Sequence, residues 1–335
     1  MKACFFANIS MDMIYTHVAY KDDIQILKDL GYDVAVSNSF KNIDSNSDFY
    51  FAWWASSGSK VLIVSKLLRK PCIIVAGGSD VSLKDRSPAG YNSRNFLHKT
   101  IIKWTLRHAD AVLAVSKDVY DDAKKLGAKK LHLIYVCVDT KKYRPTNAKR
   151  EHVILIVSHL SKQNVERKKI KNSISSMPTV LKKIPDAKLV IVGTKLDGYE
   201  ELVDLVKSLN LERNVLFPGR VSEEEKIELY NKAMVFLSPS EHEGFGLVIV
   251  EGMACGLPAI VTDRGALPEV VGDAGIYVPL NDVGAIAKAI INIAQDSSLS
   301  KDLSRKSIAQ ANKFSFERRK ESIKNIIETI LNRRN

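Results

Sequence analysis

Apolar residues along this chain fall into short unbroken runs. ACFFA (3–7), FYFAW (49–53), CIIVA (72–76), AVLAV (111–115), VILIV (153–157), LVIV (189–192), VFL (235–237) and AIV (259–261) show almost no polar alternation. A strand with one wet face alternates with period two, so such runs fit parallel strands covered on both faces. Asp33–Val36, Leu133–Val138, Val215–Phe217 and Ile276–Val278 complete six predicted strands in each half, with helix-length stretches such as Asp23–Leu30 and Asn95–Arg107 between strands. The rhythm predicts an α/β protein with two consecutive open sheets. Asp139–Glu151 (DTKKYRPTNAKRE) is polar, contains Pro145 and follows neither period, so it reads as the interdomain linker. In the tail, Ile323, Ile326, Ile327, Ile330 and Leu331 recur at helical spacing with Lys and Arg opposite, and this helix requires an apolar surface to cover.

Size agrees with two domains, because 335 residues exceed the usual single core. Hydrophobic content of 45% and charged content of 26% exclude a disordered or fibrous chain. Cys4, Cys72, Cys137 and Cys255 are scattered, with no CxxC pair and no histidine at ligand spacing, so neither a disulfide framework nor a metal site is expected. The start MKACFFANISMDMIY lacks the apolar core of a signal peptide, and no run approaches a membrane span, so a cytoplasmic location is expected.

Charge is uneven. Residues 1–150 hold 24 Lys and Arg against 14 Asp and no Glu, whereas residues 151–335 hold 26 against 24. The basic first half, with Lys99, Lys103 and Arg107 beside Ile101, Ile102 and Trp104 in HKTIIKWTLRH, suggests docking to an anionic lipid or an acidic glycan, hence a peripheral place at the inner face of a membrane. A generally Lys-rich composition explains the same counts. Nucleic acid is not an expected partner, since neither an aromatic RNA motif nor a recognition-helix pattern accompanies the charge.

The chemistry concentrates in EHEGFGLVIVE, Glu241–Glu251. Val235–Ser238 reads as a strand and Leu247–Ala254 as a helix entered through Gly244, Phe245 and Gly246. Glycines there admit close backbone approach, and the helix start offers free N–H groups and a positive dipole end, which suits a diphosphate. Glu251, one turn into the helix, can accept the hydroxyls of a ribose, and Glu243, ahead of the turn, faces what lies beyond the phosphates. A helix-start carboxylate and a solvated helix residue would account for the pair equally well on spacing alone.

The wider stretch Ser238–Val278 closely resembles the signature region of retaining GT-B glycosyltransferases of family 4, with the E-x7-E motif carried here by Glu243 and Glu251. Lys183–Gly193, Phe217–Ala233, Pro279–Ile290 and Phe314–Lys320 resemble family segments in the right order, as do the shorter Gly31–Val34, Ala109–Ser116 and Val138–Pro145. The resemblance implies two Rossmann-like domains facing across a cleft: residues 1–145, binding acceptor and joined by the helix 315–335 crossing back, and residues 151–312, binding nucleotide sugar. It implies transfer of a hexose from a UDP- or GDP-linked donor to a glycan or lipid-linked acceptor, with no cofactor and no metal.

Residue by residue, the resemblance gives Glu243, Lys168 and Arg167 to catalysis. It gives Glu251, Gly244, Phe245, Gly246, Leu247, Gly219, Arg220 and Val221 to donor binding. Departures are visible: no glycine occurs in Asn8–His17 after the first strand, and His159 stands where an arginine is usual, so Arg167 is its expected substitute. Asp80, in AGGSDV, occupies the region of an acceptor-side histidine, with loop capping as its plainer reading, and Asp12 is a second acceptor-side candidate.

A leaving diphosphate needs charge stabilisation. With no DxD triplet, the expected source is Arg167, Lys168 and the amides around Gly244–Leu247, although KQNVERKKIK also reads as a solvated charge run. Domain closure with hinges near Asp139–Glu151 and Phe314 is expected to exclude water. With both glutamates engaged by the donor, acceptor attack from the leaving-group side and net retention follow. An epimerase or phosphorylase of the same fold, and a non-catalytic nucleotide-sugar-binding protein, remain as alternatives.

Overall fold

The computed structural model describes residues 1–83 and 90–332, which form two compact units: Met1–Cys137 with the helix Phe316–Asn332, and Val138–Ser315. In the first, strands β1 (Lys2–Phe6), β2 (Asp33–Ser37), β3 (Phe49–Trp53), β4 (Cys72–Ala76), β5 (Ala111–Ala114) and β6 (Leu131–Leu133) make one parallel sheet in the order β2-β1-β3-β4-β5-β6. In the second, β7 (Val153–Val157), β8 (Lys188–Val192), β9 (Val215–Gly219), β10 (Val235–Ser238), β11 (Ala259–Val261) and β12 (Gly275–Tyr277) are ordered β12-β11-β10-β7-β8-β9. All ladders are parallel, and every residue of β3, β4 and β5 is buried. The unbroken apolar runs are therefore strands with helices on both faces.

Strand order reverses direction between β1 and β3 in the first unit and between β7 and β10 in the second. In open α/β sheets, the crevice beyond the carboxyl ends of such a strand pair is where ligands bind.

Two local expectations are corrected. The sixth strand is Leu131–Leu133, not Leu133–Val138. Its apolar continuation packs inward, but Arg319 takes the carbonyls of Ile134 (3.1 Å) and Tyr135 (2.6 Å), which ends the ladder. The segment Asp139–Glu151 is not a bare linker but part of the second unit. Tyr143 is buried against Tyr230, the Thr146 amide donates to Asn231, and Arg150 donates to the carbonyls of Tyr230, Ala233 and Cys255. After β1, where no glycine loop exists, Ser10 caps a short helix Met11–Thr16 directly.

The C-terminal helix covers its apolar stripe, burying Ile323, Ile327 and Ile330. Arg319 on the same helix is buried and forms a bidentate pair with Asp23, 2.7 and 2.9 Å, while the Trp53 indole donates to the same carboxylate. Both charges are thus matched by fixed donors and acceptors, the condition for a buried pair to be tolerated.

Candidate active site

At the switch point of the second unit, the loops after β7 and β10 meet. Following β7, Ser161 caps the helix Lys162–Arg167, its hydroxyl accepting from the Asn164 amide. Lys169, with φ of 51°, turns the chain sharply into the next helix, Ile170–Leu181. Arg167 and Lys168 are thereby set at a corner. The Glu241 amide, just after β10, donates to the Arg167 carbonyl at 2.8 Å, joining the two loops.

Glu243 is the centre of what they hold. Its Oε1 lies 2.6 Å from Lys168 Nζ and accepts from the Ser240 hydroxyl, and its Oε2 lies 3.0 Å from Arg167 Nη1. Arg167 also donates to the His242 carbonyl at 2.6 Å. Burial alone would raise the Glu243 carboxyl, but Lys168 and Arg167 outweigh it and hold the group at about 2. Behind it, a Cβ on Gly265 would come within 2.5 Å of the Glu243 carbonyl, so only glycine lets the backbone past β11 support this turn.

Beyond Glu243, Gly244 and Phe245 lead to Gly246, whose φ of 92° opens the helix Leu247–Ala254 with no side-chain cap. Phe245 is buried and meets the Phe314 ring edge-on, which pins the turn. Cations at a corner, a carboxylate between them and an uncapped helix start are chemistry that can receive an anion, with a counterion already in place.

Glu251 stands on that helix, only 1% exposed, and belongs to a separate network. Its Oε2 accepts from the Tyr230 hydroxyl at 2.8 Å and pairs with Lys226 at 2.9 Å. Burial pushes this carboxyl up, and Lys226 and Tyr230 counter it only in part. Lys226 in turn lies over the Tyr143 ring, and the Tyr143 hydroxyl donates to Glu223. Sequence reasoning named Glu251 but missed Lys226 and Tyr230, although their i, i+4 spacing on the helix Glu223–Lys232 was a usable signal.

Gly219 is the last residue of β9, and Arg220 and Val221 follow it. Gly219, with φ of 84°, accepts from the Gly193 amide, Arg220 is exposed and Val221 half-buried. In the first unit, Asp80 is buried and its Oδ2 accepts from the Ala55 amide at 2.5 Å, so it serves the start of the helix Ala55–Leu67 while the backbone of its own loop, at Gly77 and Gly78, also favours its charged form. Burial lifts its carboxyl to about 6 against that bond, and Oδ1 is left without a partner. Asp12 is exposed in the first turn of Met11–Thr16.

Residues 139–310, just over half of the chain and almost all of the second unit, match the family described as glycosyl transferases group 1. The chain belongs to that family. Residues 19–142 match glycosyltransferase family 4, and the two six-stranded parallel sheets are those of a GT-B glycosyltransferase. Among relatives, this glycosyltransferase is 27% identical to N-acetyl-alpha-D-glucosaminyl L-malate synthase of Bacillus anthracis, over 87% of this chain and 77% of that protein. It is 41% identical to O-antigen chain mannosyltransferase B of Escherichia coli over a shorter stretch, 38% of this chain and 34% of that enzyme. The Anabaena protein HepE, solved in complex with UDP, superposes with a TM-score of 0.80 at 18% identity, covering 98% of this chain and 100% of HepE.

Proposed function

We propose that this glycosyltransferase moves a hexose with net retention from a UDP- or GDP-linked donor to a glycan or lipid-linked acceptor, without a metal, working at the surface of an anionic membrane. The observation that carries the reading is Glu243 clasped by Lys168 and Arg167 beside the uncapped start of the helix Leu247–Ala254. A diphosphate entering there finds two cations and helix amides that stabilise the charge developing on it as the glycosidic bond breaks. UDP as the ligand of HepE and mannosyl transfer by the E. coli relative support a nucleotide-linked hexose.

What Glu243 is able to do supports retention. A carboxyl held at about 2 stays ionised at neutral pH and is a poor acceptor for a proton, so it serves the donor sugar electrostatically rather than as a general base. In this reading Glu251 holds the ribose, with Lys226 and Tyr230 fixing one of its oxygens and leaving the other for the hydroxyls. The acceptor then attacks from the face of the leaving group, and a phosphate oxygen takes its proton. Asp80 and Asp12 remain the acceptor-side candidates in the first unit. Proton NMR of freshly formed product, with EDTA present, tests this: an α-linked product from an α-linked donor is expected, and a β-linked product overturns it.

A further inference from the structure

We infer that the paired helices Ala55–Leu67 and Phe96–His108 of the first unit form a docking face for an anionic lipid bilayer. This names the surface behind the membrane-side reading above, and rests on that reading only for its biological setting. The two helices pack against each other in the connections on either side of β4. On Phe96–His108, Ile102, Thr105 and Leu106 point inward. At 100° per residue the opposite arc carries Phe96, Leu97, Lys103, Trp104 and Arg107, and Phe96 and Leu97 are 85% and 64% exposed. On Ala55–Leu67 the outward positions Lys60, Ile63 and Leu67 recur at i, i+3 and i+7, followed by exposed Leu68, and Leu67 is 78% exposed.

Scattered exposed apolar residues are ordinary, but here they share two neighbouring helices that together contain no Asp or Glu. Charge decides the occupant. A second copy of this chain docking through the same face would set one basic face against another, and a soluble polyanion would leave Phe96, Leu97 and Leu67 in water. An anionic bilayer satisfies both chemistries: headgroups meet Lys60, Lys103 and Arg107, while the aromatic and aliphatic side chains enter the boundary with the acyl chains. No helix among the described residues is long and apolar enough to cross the bilayer, so the contact is with its surface.

Co-sedimentation of the full chain with vesicles tests the assignment, comparing phosphatidylcholine alone with vesicles carrying about 30% phosphatidylglycerol, from about 0.05 to about 0.5 M salt. The anionic vesicles should pellet at least about fivefold more protein at low salt, and the advantage should shrink as salt rises. Phe96→Ser with Leu97→Ser, at positions with no core contact, should cut pelleting severalfold while leaving the melting temperature unchanged. Lys103→Glu with Arg107→Glu should do the same by removing the charge. Equal pelleting on neutral and anionic vesicles overturns the inference. So does full retention by the Phe96 and Leu97 variant, which would mark a polyanion site instead, and so does concentration-dependent dimerisation abolished by that variant.

Discussion

Lys168 Nζ lies 2.6 Å from Glu243 Oε1, joining a half-buried lysine to a buried carboxylate at the meeting of the loops after β7 and β10. A cation and a carboxylate this close in a low-dielectric site each depend on the other for solvation. In the proposed reading the arrangement has two states: the empty site neutralised by Glu243, and the donor-bound site in which phosphate shares the cations, and competition between them would set the nucleotide affinity.

Glu243→Gln should reduce kcat more than it reduces nucleotide affinity, because the neutral amide keeps the shape and loses the charge. The same variant has a pH signature. The folded carboxyl, at about 2, lies below the unfolded value of 4.5, so its stabilisation is present above pH 4.5 and is lost as pH falls toward 2. The full effect is about 3 kcal/mol. Melting curves from pH 7 to pH 3 should show the wild type losing stability faster than Glu243→Gln below pH 4.5.

Asp80 should behave with the opposite sign. Its folded carboxyl, at about 6, lies above the unfolded 3.8, so its contribution is fully present below pH 3.8 and is lost as pH rises through 6. Asp80→Asn keeps an acceptor for the Ala55 amide and removes the charge. Relative to wild type, this variant should be more stable at pH 7.5 than at pH 4, by melting temperature under matched salt. A constant offset across that range would mean that the carboxyl is not perturbed.

The apolar runs declared the two parallel sheets because a strand buried on both faces has no polar positions to interrupt it. Glu243, Lys168 and Arg167 were named through the family resemblance, spacing alone being neutral, and the structure brings the three together. What the chain order hid were partners distant in sequence. Tyr230 reaches Glu251 across 21 positions, and Arg319 ends β6 from 185 positions away. Likewise, a polar segment with proline looked like a linker because its anchors, Tyr143 and Arg150, bind side chains and carbonyls of other elements rather than following a period.

Lys226 gives that hidden layer a test. Lys226→Met leaves Glu251 buried against Tyr230 with its ion pair removed, and should destabilise the protein by about 3–5 kcal/mol in urea unfolding. Adding Glu251→Gln should recover much of the loss, because the uncompensated charge is gone. If the double variant is no more stable than Lys226→Met alone, the pair is not the source of the cost.

The central claim is that Lys168 and Arg167, with the amides at the start of Leu247–Ala254, receive the diphosphate of the donor. Isothermal titration of UDP, GDP and the matching nucleosides into wild type and Lys168→Met, all in EDTA, addresses it directly. The favoured nucleoside diphosphate should bind wild type without metal and lose at least about tenfold in affinity in the variant, roughly the 1.5–3 kcal/mol of a charged hydrogen bond, while nucleoside binding stays the same. Undiminished diphosphate affinity in Lys168→Met, or binding that disappears with EDTA, would contradict the account.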